Sequence, residues 1–171
     1  MKHIYKFAVL TLTISVSLAW VLNCTSFNEV QPPPQLANFD NFNIITSEWV
    51  AADQWVATSV FGLPARACEI NQYRLTNDLL EKSQLYVYSK IGDNIRPLPF
   101  TTNTSTAEIR YDYTVPKSSQ LRIVTIGLKG KFTPAEEQKY RYVLIPNSLA
   151  KKIPVNMGNY DEVKWAFHLN D

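Results

Sequence analysis

Hydrophobic and polar residues alternate in short stretches along the second two-thirds of the chain, and turn residues separate the stretches. The clearest case covers residues 108–115, where Ile109, Tyr111 and Tyr113 share one face of a strand. Turn residues at 92–94 and 116–119 end two of the stretches. The prolines in residues 95–100 allow only an edge strand or a loop there. The pattern predicts strands over residues 44–51, 54–61, 67–73, 85–88, 108–115, 120–128 and 140–145.

Two helices are predicted from capping signals. Thr76 is placed to cap a short internal helix over residues 77–82. Near the C-terminus, Asn159 is followed three positions later by Glu162, which is the pattern of a capping box. The apolar face of this second helix would carry Tyr160, Val163 and Phe167. The sequence therefore predicts a mainly β fold, either a small β-sandwich or an open barrel, with a C-terminal helix and one short internal helix.

The first 23 residues have the pattern of a secretory signal peptide. Lys2 and Lys6 precede an apolar run over residues 7–22, and the first acidic residue is Glu29. The run contains several Thr and Ser residues, so it is weakly apolar for a permanent membrane span. A retained N-terminal anchor is the alternative. The predicted organisation is a signal peptide over residues 1–23, a linker over 24–43 and a β-rich globular domain over 44–171.

The cleavage site decides where the protein is located. Residues 21–24 resemble a relaxed lipoprotein cleavage box, in which Cys24 becomes the lipidated first residue of the mature chain. The competing site is the small-x-small pattern of residues 17–19, used by the ordinary signal peptidase. Lipidation predicts a membrane partner through the lipid on Cys24 and a place in the bacterial cell envelope, anchored to the outer membrane. The ordinary site predicts a periplasmic or secreted protein instead.

The stretch after Cys24 suits a tether. Residues 32–34 are three consecutive prolines, which favour an extended backbone without internal hydrogen bonds. Residues 24–43 are therefore predicted to be a flexible linker. In the alternative interpretation this stretch packs along the edge of the domain through Phe39 and Phe42.

Charge and cysteine content narrow the choice of partners. The chain has 17 basic and 15 acidic residues. Removal of the signal peptide takes away Lys2 and Lys6, which leaves 15 of each sign, so nucleic acid is not an expected partner.

The state of the two cysteines depends on the cleavage site. If Cys24 is lipidated, Cys68 is expected to be a buried free thiol. If cleavage occurs after Ala19, a Cys24–Cys68 disulfide becomes available.

The sequence carries no motif typical of catalysis. Its histidines are His3 and His168, which are too few for a convergent metal site, and neither a metal nor another cofactor is expected. There is no phosphate-binding glycine loop and no G-x-S-x-G motif. A non-enzymatic protein is therefore predicted, and the alternative is a carboxylate-dependent hydrolase. By residue type its candidates are Asp53, Glu69, Asp78, Glu81, Asp93, Glu108 and Asp112.

Aromatic residues are the candidates for ligand binding. Tyrosines occur in pairs two positions apart on predicted strands, which places both members of a pair on one face. Rows of exposed aromatic rings would stack against sugar rings and make a glycan-binding surface. The alternative is that the same rings form the core of a sandwich. The candidate binding residues are Trp49, Trp55, Tyr86, Tyr88, Tyr111 and Tyr113, and Tyr140 and Tyr142 form a further pair.

Several short segments occur together in a recognisable order. They are Trp49-x5-Trp55, residues 75–80 leading into 85–88, residues 98–100, residues 140–146 and residues 160–164. This order resembles a group of uncharacterised secreted or lipid-anchored β-rich proteins of Bacteroidetes-type bacteria. The resemblance implies a β-rich envelope domain and brings no catalytic residues with it. The expected function is that of a structural or interaction module, whose partner is another envelope protein or a glycan.

Overall fold

The computed structural model describes residues 44–134, 137–152 and 154–170. The helices there are α1 (Asn77–Lys82), α2 (Asn147–Ala150) and α3 (Tyr160–Ala166). The strands are β1 (Ile45–Thr46), β2 (Val50–Ala51), β3 (Val56–Val60), β4 (Leu63–Asn71), β5 (Ser83–Ile91), β6 (Asn94–Pro97), β7 (Phe100–Asn103), β8 (Glu108–Lys117), β9 (Gln120–Lys129) and β10 (Lys139–Pro146). The predicted signal peptide, Cys24 and the predicted linker lie outside the described residues.

The strands form two antiparallel sheets of five strands each. In the first sheet the order is β1-β10-β5-β6, and β2 also pairs with β10. The order of the second sheet is β3-β4-β9-β8-β7. The prediction of a mainly β fold is confirmed, and within the described residues the strands do not close into a barrel.

A common apolar core lies between the two sheets. The second sheet contributes Cys68 and Ile123, and the first contributes Val87 and Tyr142, all nearly inaccessible to solvent. Alternation explains this packing, because every second residue of a strand points to the same face. Burial of apolar surface in this core is the main source of the domain's stability.

Helix α3 covers the opposite face of the first sheet. Asn159 caps it, since its side-chain oxygen accepts hydrogen bonds from the backbone N–H groups of Asp161 and Glu162. Tyr160 and Val163 then pack on Tyr88 and other residues of β5 and β10. The predicted C-terminal helix is confirmed, as is α1, whose Leu79 N–H donates to the Thr76 hydroxyl at 3.3 Å. The first sheet is therefore buried on both faces.

The strand predicted over residues 44–51 is divided into two short strands, β1 and β2. Over residues 44–51 the pairing with β10 shifts by one residue between Thr46 and Val50, so a bulge separates β1 from β2. Beyond Ala51 the chain leaves the first sheet and enters the second at Val56. Trp49 and Trp55 therefore lie in different apolar clusters. A shared face for these two tryptophans would require one continuous strand, and the chain changes sheets between them.

The proline-containing stretch forms strands at two edges. Of residues 95–100, the first part belongs to β6 at one edge of the first sheet. Phe100 begins β7 at an edge of the second sheet. The expectation of an edge position is confirmed: Pro97 ends β6, and Pro99 lies where the chain crosses between the sheets.

Candidate functional site

The second sheet turns an apolar face away from the core. Alternation along β4 and β9 places Ala65, Ala67, Val124 and Ile126 on this side, and register pairs Ala65 with Ile126 and Ala67 with Val124. With Val60 of β3 they form an apolar cluster of their own. This cluster, together with the rim residues described next, is called the outer apolar face below.

Exposed aliphatic and aromatic side chains form the rim of the outer apolar face. Val124 and Ile126 are only 7% and 8% exposed, whereas Leu63, Leu128 and Phe61 at the rim are 38%, 36% and 101% exposed. Together they border a depression of about 640 Å³. A depression of this size is within the range of ligand-binding clefts, and its walls are predominantly apolar.

The charges beside the outer apolar face are already paired with one another. Arg122 of β9 contacts Glu69 directly across the strand pair, and Arg110 and Asp112 of β8 are joined at 3.0 Å. The hydrogen bond from Arg122 lowers the pKa of the Glu69 carboxyl. Because each charge has an opposite neighbour, the surface carries little net field and suits a neutral, apolar partner.

The two sheets are covered unequally. The helices of the described residues make their main packing contacts with strands of the first sheet. Over residues 44–134, 137–152 and 154–170, no helix is packed in the same way on the outer apolar face. Exposed apolar surface of this kind commonly marks a place where another molecule binds.

Three of the predicted ligand-binding aromatics lie on the helix-covered side of the first sheet. The ring of Tyr160 in α3 contacts those of Trp49 and Tyr88, with centroids 5.5 and 5.0 Å away. The Tyr88 hydroxyl donates to the carbonyl of Met157 at 3.0 Å, and its ring is fully buried. Tyr86 is half-buried beside them, and its hydroxyl donates to Gln84.

The other three belong to the core between the sheets. Tyr111 is 3% exposed and stacks on Phe100, with ring centroids 4.8 Å apart. The Tyr113 hydroxyl donates to the carbonyl of Leu85 at 3.0 Å, and Trp55 Nε1 donates to the carbonyl of Ala52 at 2.9 Å. The six aromatic residues therefore do not form one exposed row, and their packing accounts for their spacing.

The candidate carboxylates are dispersed over the surface. Four of the seven form ion pairs with a neighbouring base, and those four are Glu69, Asp78, Glu108 and Asp112. A general acid in a glycosidase needs a raised pKa, whereas the pKa of Glu69 is lowered. The arrangement gives these four residues a role in surface charge pairing.

Cys68 lies in the core as a free thiol. Burial raises its pKa, which disfavours the reactive thiolate. His168 is exposed at the end of α3. Within the described residues, no group of His, Cys, Asp and Glu is placed to hold a metal ion, and no helix is long and apolar enough to cross a membrane.

Comparison with known proteins found no match for this chain. No protein-family model matches it, and neither a curated protein nor a solved structure is significantly similar.

The outer apolar face was not predicted from the sequence, although the sequence of β9 contains a signal for it. In β9 the residues opposite Leu121 and Ile123 include Val124, Ile126 and Leu128, so both faces of this strand are apolar.

Proposed function

We propose that this chain is a non-enzymatic lipoprotein of the bacterial cell envelope, whose domain binds another envelope protein through the outer apolar face. The lipid on Cys24 would hold the mature protein to the outer membrane, and residues 24–43 would separate the domain from it. One observation carries the binding role: the second sheet has an apolar outer face that no helix among the described residues packs on, whereas α3 covers the first sheet.

The chemistry of this face favours a particular kind of partner. The charged side chains beside it are paired as Glu69–Arg122 and Arg110–Asp112, and the mature chain has equal numbers of basic and acidic residues. A polyanion would gain little from such a surface. The partner is therefore a protein segment without net charge that inserts aliphatic or aromatic side chains into the depression bordered by Leu63 and Leu128.

Glycan binding and hydrolysis have less support. The candidate platform residues Tyr88 and Tyr111 are 0% and 3% exposed, so they offer no face to a sugar ring. Four of the candidate carboxylates are held in ion pairs, and the pKa of the Glu69 carboxyl is lowered, which is the opposite of what a general acid needs.

Site-specific photocrosslinking in the native envelope tests the binding role. A photoreactive amino acid replaces Leu128 in the outer apolar face, and Ile91 of the first sheet serves as the matched control. The two side chains are 36% and 38% exposed, so both reach solvent equally. We expect a discrete adduct with one envelope protein from position 128 and none from position 91.

A rim variant makes the experiment specific. Leu63→Glu places a carboxylate in the depression, where burying an unpaired charge opposes binding, and should abolish the adduct at position 128. Ile91→Glu should leave it unchanged. Equal adducts from positions 91 and 128, or an adduct that persists in Leu63→Glu, would refute the proposed binding surface.

A further inference from the structure

We propose that two copies of this chain pair through strand β3, so that their second sheets join into one continuous antiparallel sheet across a two-fold axis at Thr58. The partner of this edge is thus a second copy of the same chain. The inference does not depend on the binding role of the outer apolar face, because it rests on the backbone edge of β3.

The free edge of β3 is open to solvent. This strand is the first in the order of the second sheet, and its only strand partner among the described residues is β4. Four of its five residues are exposed, and Val56 is 67% exposed. Unpaired N–H and C=O groups along such an edge are a template for another strand.

Other edges of the described sheets carry features that discourage pairing. β1 and β2 have two residues each, and β6 contains Arg96 and Pro97. β7 has four residues and directly follows Pro99, which has no N–H group to donate. The sequence of β3, Val-Ala-Thr-Ser-Val, has neither a charge nor a proline. Short strands, charges and prolines usually protect an edge from pairing. β3 is only five residues long, but it has neither of the other two protections.

The sequence of β3 is complementary to itself. Antiparallel pairing about Thr58 sets Val56 opposite Val60 of the second copy, Ala57 opposite Ser59, and Thr58 opposite Thr58. No like charges meet, and Thr–Thr and aliphatic cross-strand pairs are favourable. Such a register satisfies the rule that a two-fold interface is made by one surface that complements itself.

Hydrogen-bond direction agrees with this register. β3 and β4 are joined by a two-residue turn at Phe61 and Gly62, both at positive φ, and Val60 pairs with Leu63 across it. The pair that flanks such a turn, here Val60 and Leu63, exchanges backbone hydrogen bonds. Val60, Thr58 and Val56 therefore direct their N–H and C=O groups towards β4. Ala57 and Ser59 are left with their N–H and C=O groups directed outward. These are the residues that the two-fold register places opposite each other.

The surface that this strand pair would bury is small. A five-residue strand pair buries less than the roughly 800 Å² per partner of a stable complex, so the dimer should be weak for free protein. Confinement of both copies to one membrane would raise their effective concentration.

Disulfide trapping tests the register in the mature protein purified from membranes in detergent. In Thr58→Cys, two cysteines at the two-fold axis would have Cα atoms about 4.5 Å apart, which is compatible with a disulfide. We expect a covalent dimer under mild oxidation. The control is Thr101→Cys, an exposed threonine on β7 at the opposite edge of the same sheet, which should remain monomeric.

Sedimentation velocity supplies the second measurement. Thr58→Lys sets two positive charges against each other at the axis and should weaken dimerisation at least about tenfold, whereas Thr101→Lys should not. Circular dichroism checks that both variants fold. A monomeric wild-type protein at every accessible concentration would overturn the proposal. Equal trapping by Thr58→Cys and Thr101→Cys, or dissociation by Thr101→Lys alone, would overturn it as well.

Discussion

Arg141 is a buried cation in the middle of β10 that joins separate parts of the domain. It is 2% exposed, and its Nε donates to the carbonyl of Ser47 at 2.8 Å. Its Nη2 donates to the carbonyl of Asn170 at 2.6 Å, and Nη1 bonds the Tyr160 hydroxyl. The guanidinium thus links the bulge between β1 and β2 to α3 and to the chain after it. Strand alternation places Arg141 opposite the core, but only the packing of α3 reveals that this face is covered.

Buried tyrosines make the fold sensitive to alkaline pH. Burial raises the pKa values of Tyr88, Tyr111, Tyr113, Tyr140 and Tyr142. These residues stay neutral in the folded protein, whereas in the unfolded chain they ionise near their usual pKa of about 10. Their contribution to stability is therefore complete below about pH 10 and is lost as the pH rises towards their folded-state values.

We expect alkaline unfolding above about pH 10, with these tyrosines ionising as the fold is lost. Tyrosinate absorbance and far-ultraviolet circular dichroism are recorded in one pH titration, and the part of the absorbance rise that comes from these five tyrosines should coincide with the loss of β-structure. Full ionisation of the tyrosines before any loss of β-structure would contradict the burial described for them.

Among the elements, α3 begins where a local sequence signal places its N-terminus. Asn159 provides the cap, and the Glu162 carboxylate accepts a hydrogen bond from the Asn159 side-chain amide at 2.9 Å and one from the Asn156 N–H at 3.3 Å. A seven-residue helix has little stability of its own, so capping and packing on the first sheet together maintain it.

Removal of the α3 cap should destabilise the domain measurably. Asn159→Ala leaves the N–H groups of Asp161 and Glu162 without their side-chain acceptor and should lower the free energy of unfolding by about 1 kcal/mol. Asn159→Ser keeps an acceptor and should recover most of that loss. Urea denaturation followed by tryptophan fluorescence measures both, and equal stability of wild type and Asn159→Ala would show that packing alone holds the helix.

Elements with local signals could be predicted, and those set by tertiary contacts could not. The capping residues Thr76 and Asn159 predict α1 and α3, and alternation of apolar and polar residues predicts β8, β9 and β10. The bulge that divides residues 44–51 has no local signal, because β10 sets it through the shift in pairing between Thr46 and Val50. α2 was likewise not predicted, since its four residues lack a side-chain cap.

At the scale of the whole molecule, the two sheets differ in what covers them. The first sheet lies between the core and α3. Among the described residues, the second sheet is covered only on the face that it turns to the core. Composition and alternation predicted the mainly β class, but not the order of the strands, which depends on long-range pairing. The outer apolar face follows from that order, because it exists only once β4 and β9 lie side by side.

The aromatic candidates illustrate the same limit. Spacing two positions apart correctly predicts a shared face for Tyr111 and Tyr113, and both belong to the core between the sheets. Spacing cannot tell which face of a strand becomes the core, so a binding row and a packed row have the same pattern. Burial separates them, with Tyr111 at 3% exposure.

The intact mass of the mature protein tests the anchored-module proposal most directly. Membrane and soluble fractions of the native host are compared for the wild type and for Cys24→Ser. We expect a wild-type mass equal to residues 24–171 plus acyl groups, found in the membrane fraction, and loss of this species in Cys24→Ser. An unmodified soluble chain that begins at Trp20 would contradict it and would indicate a periplasmic or secreted protein.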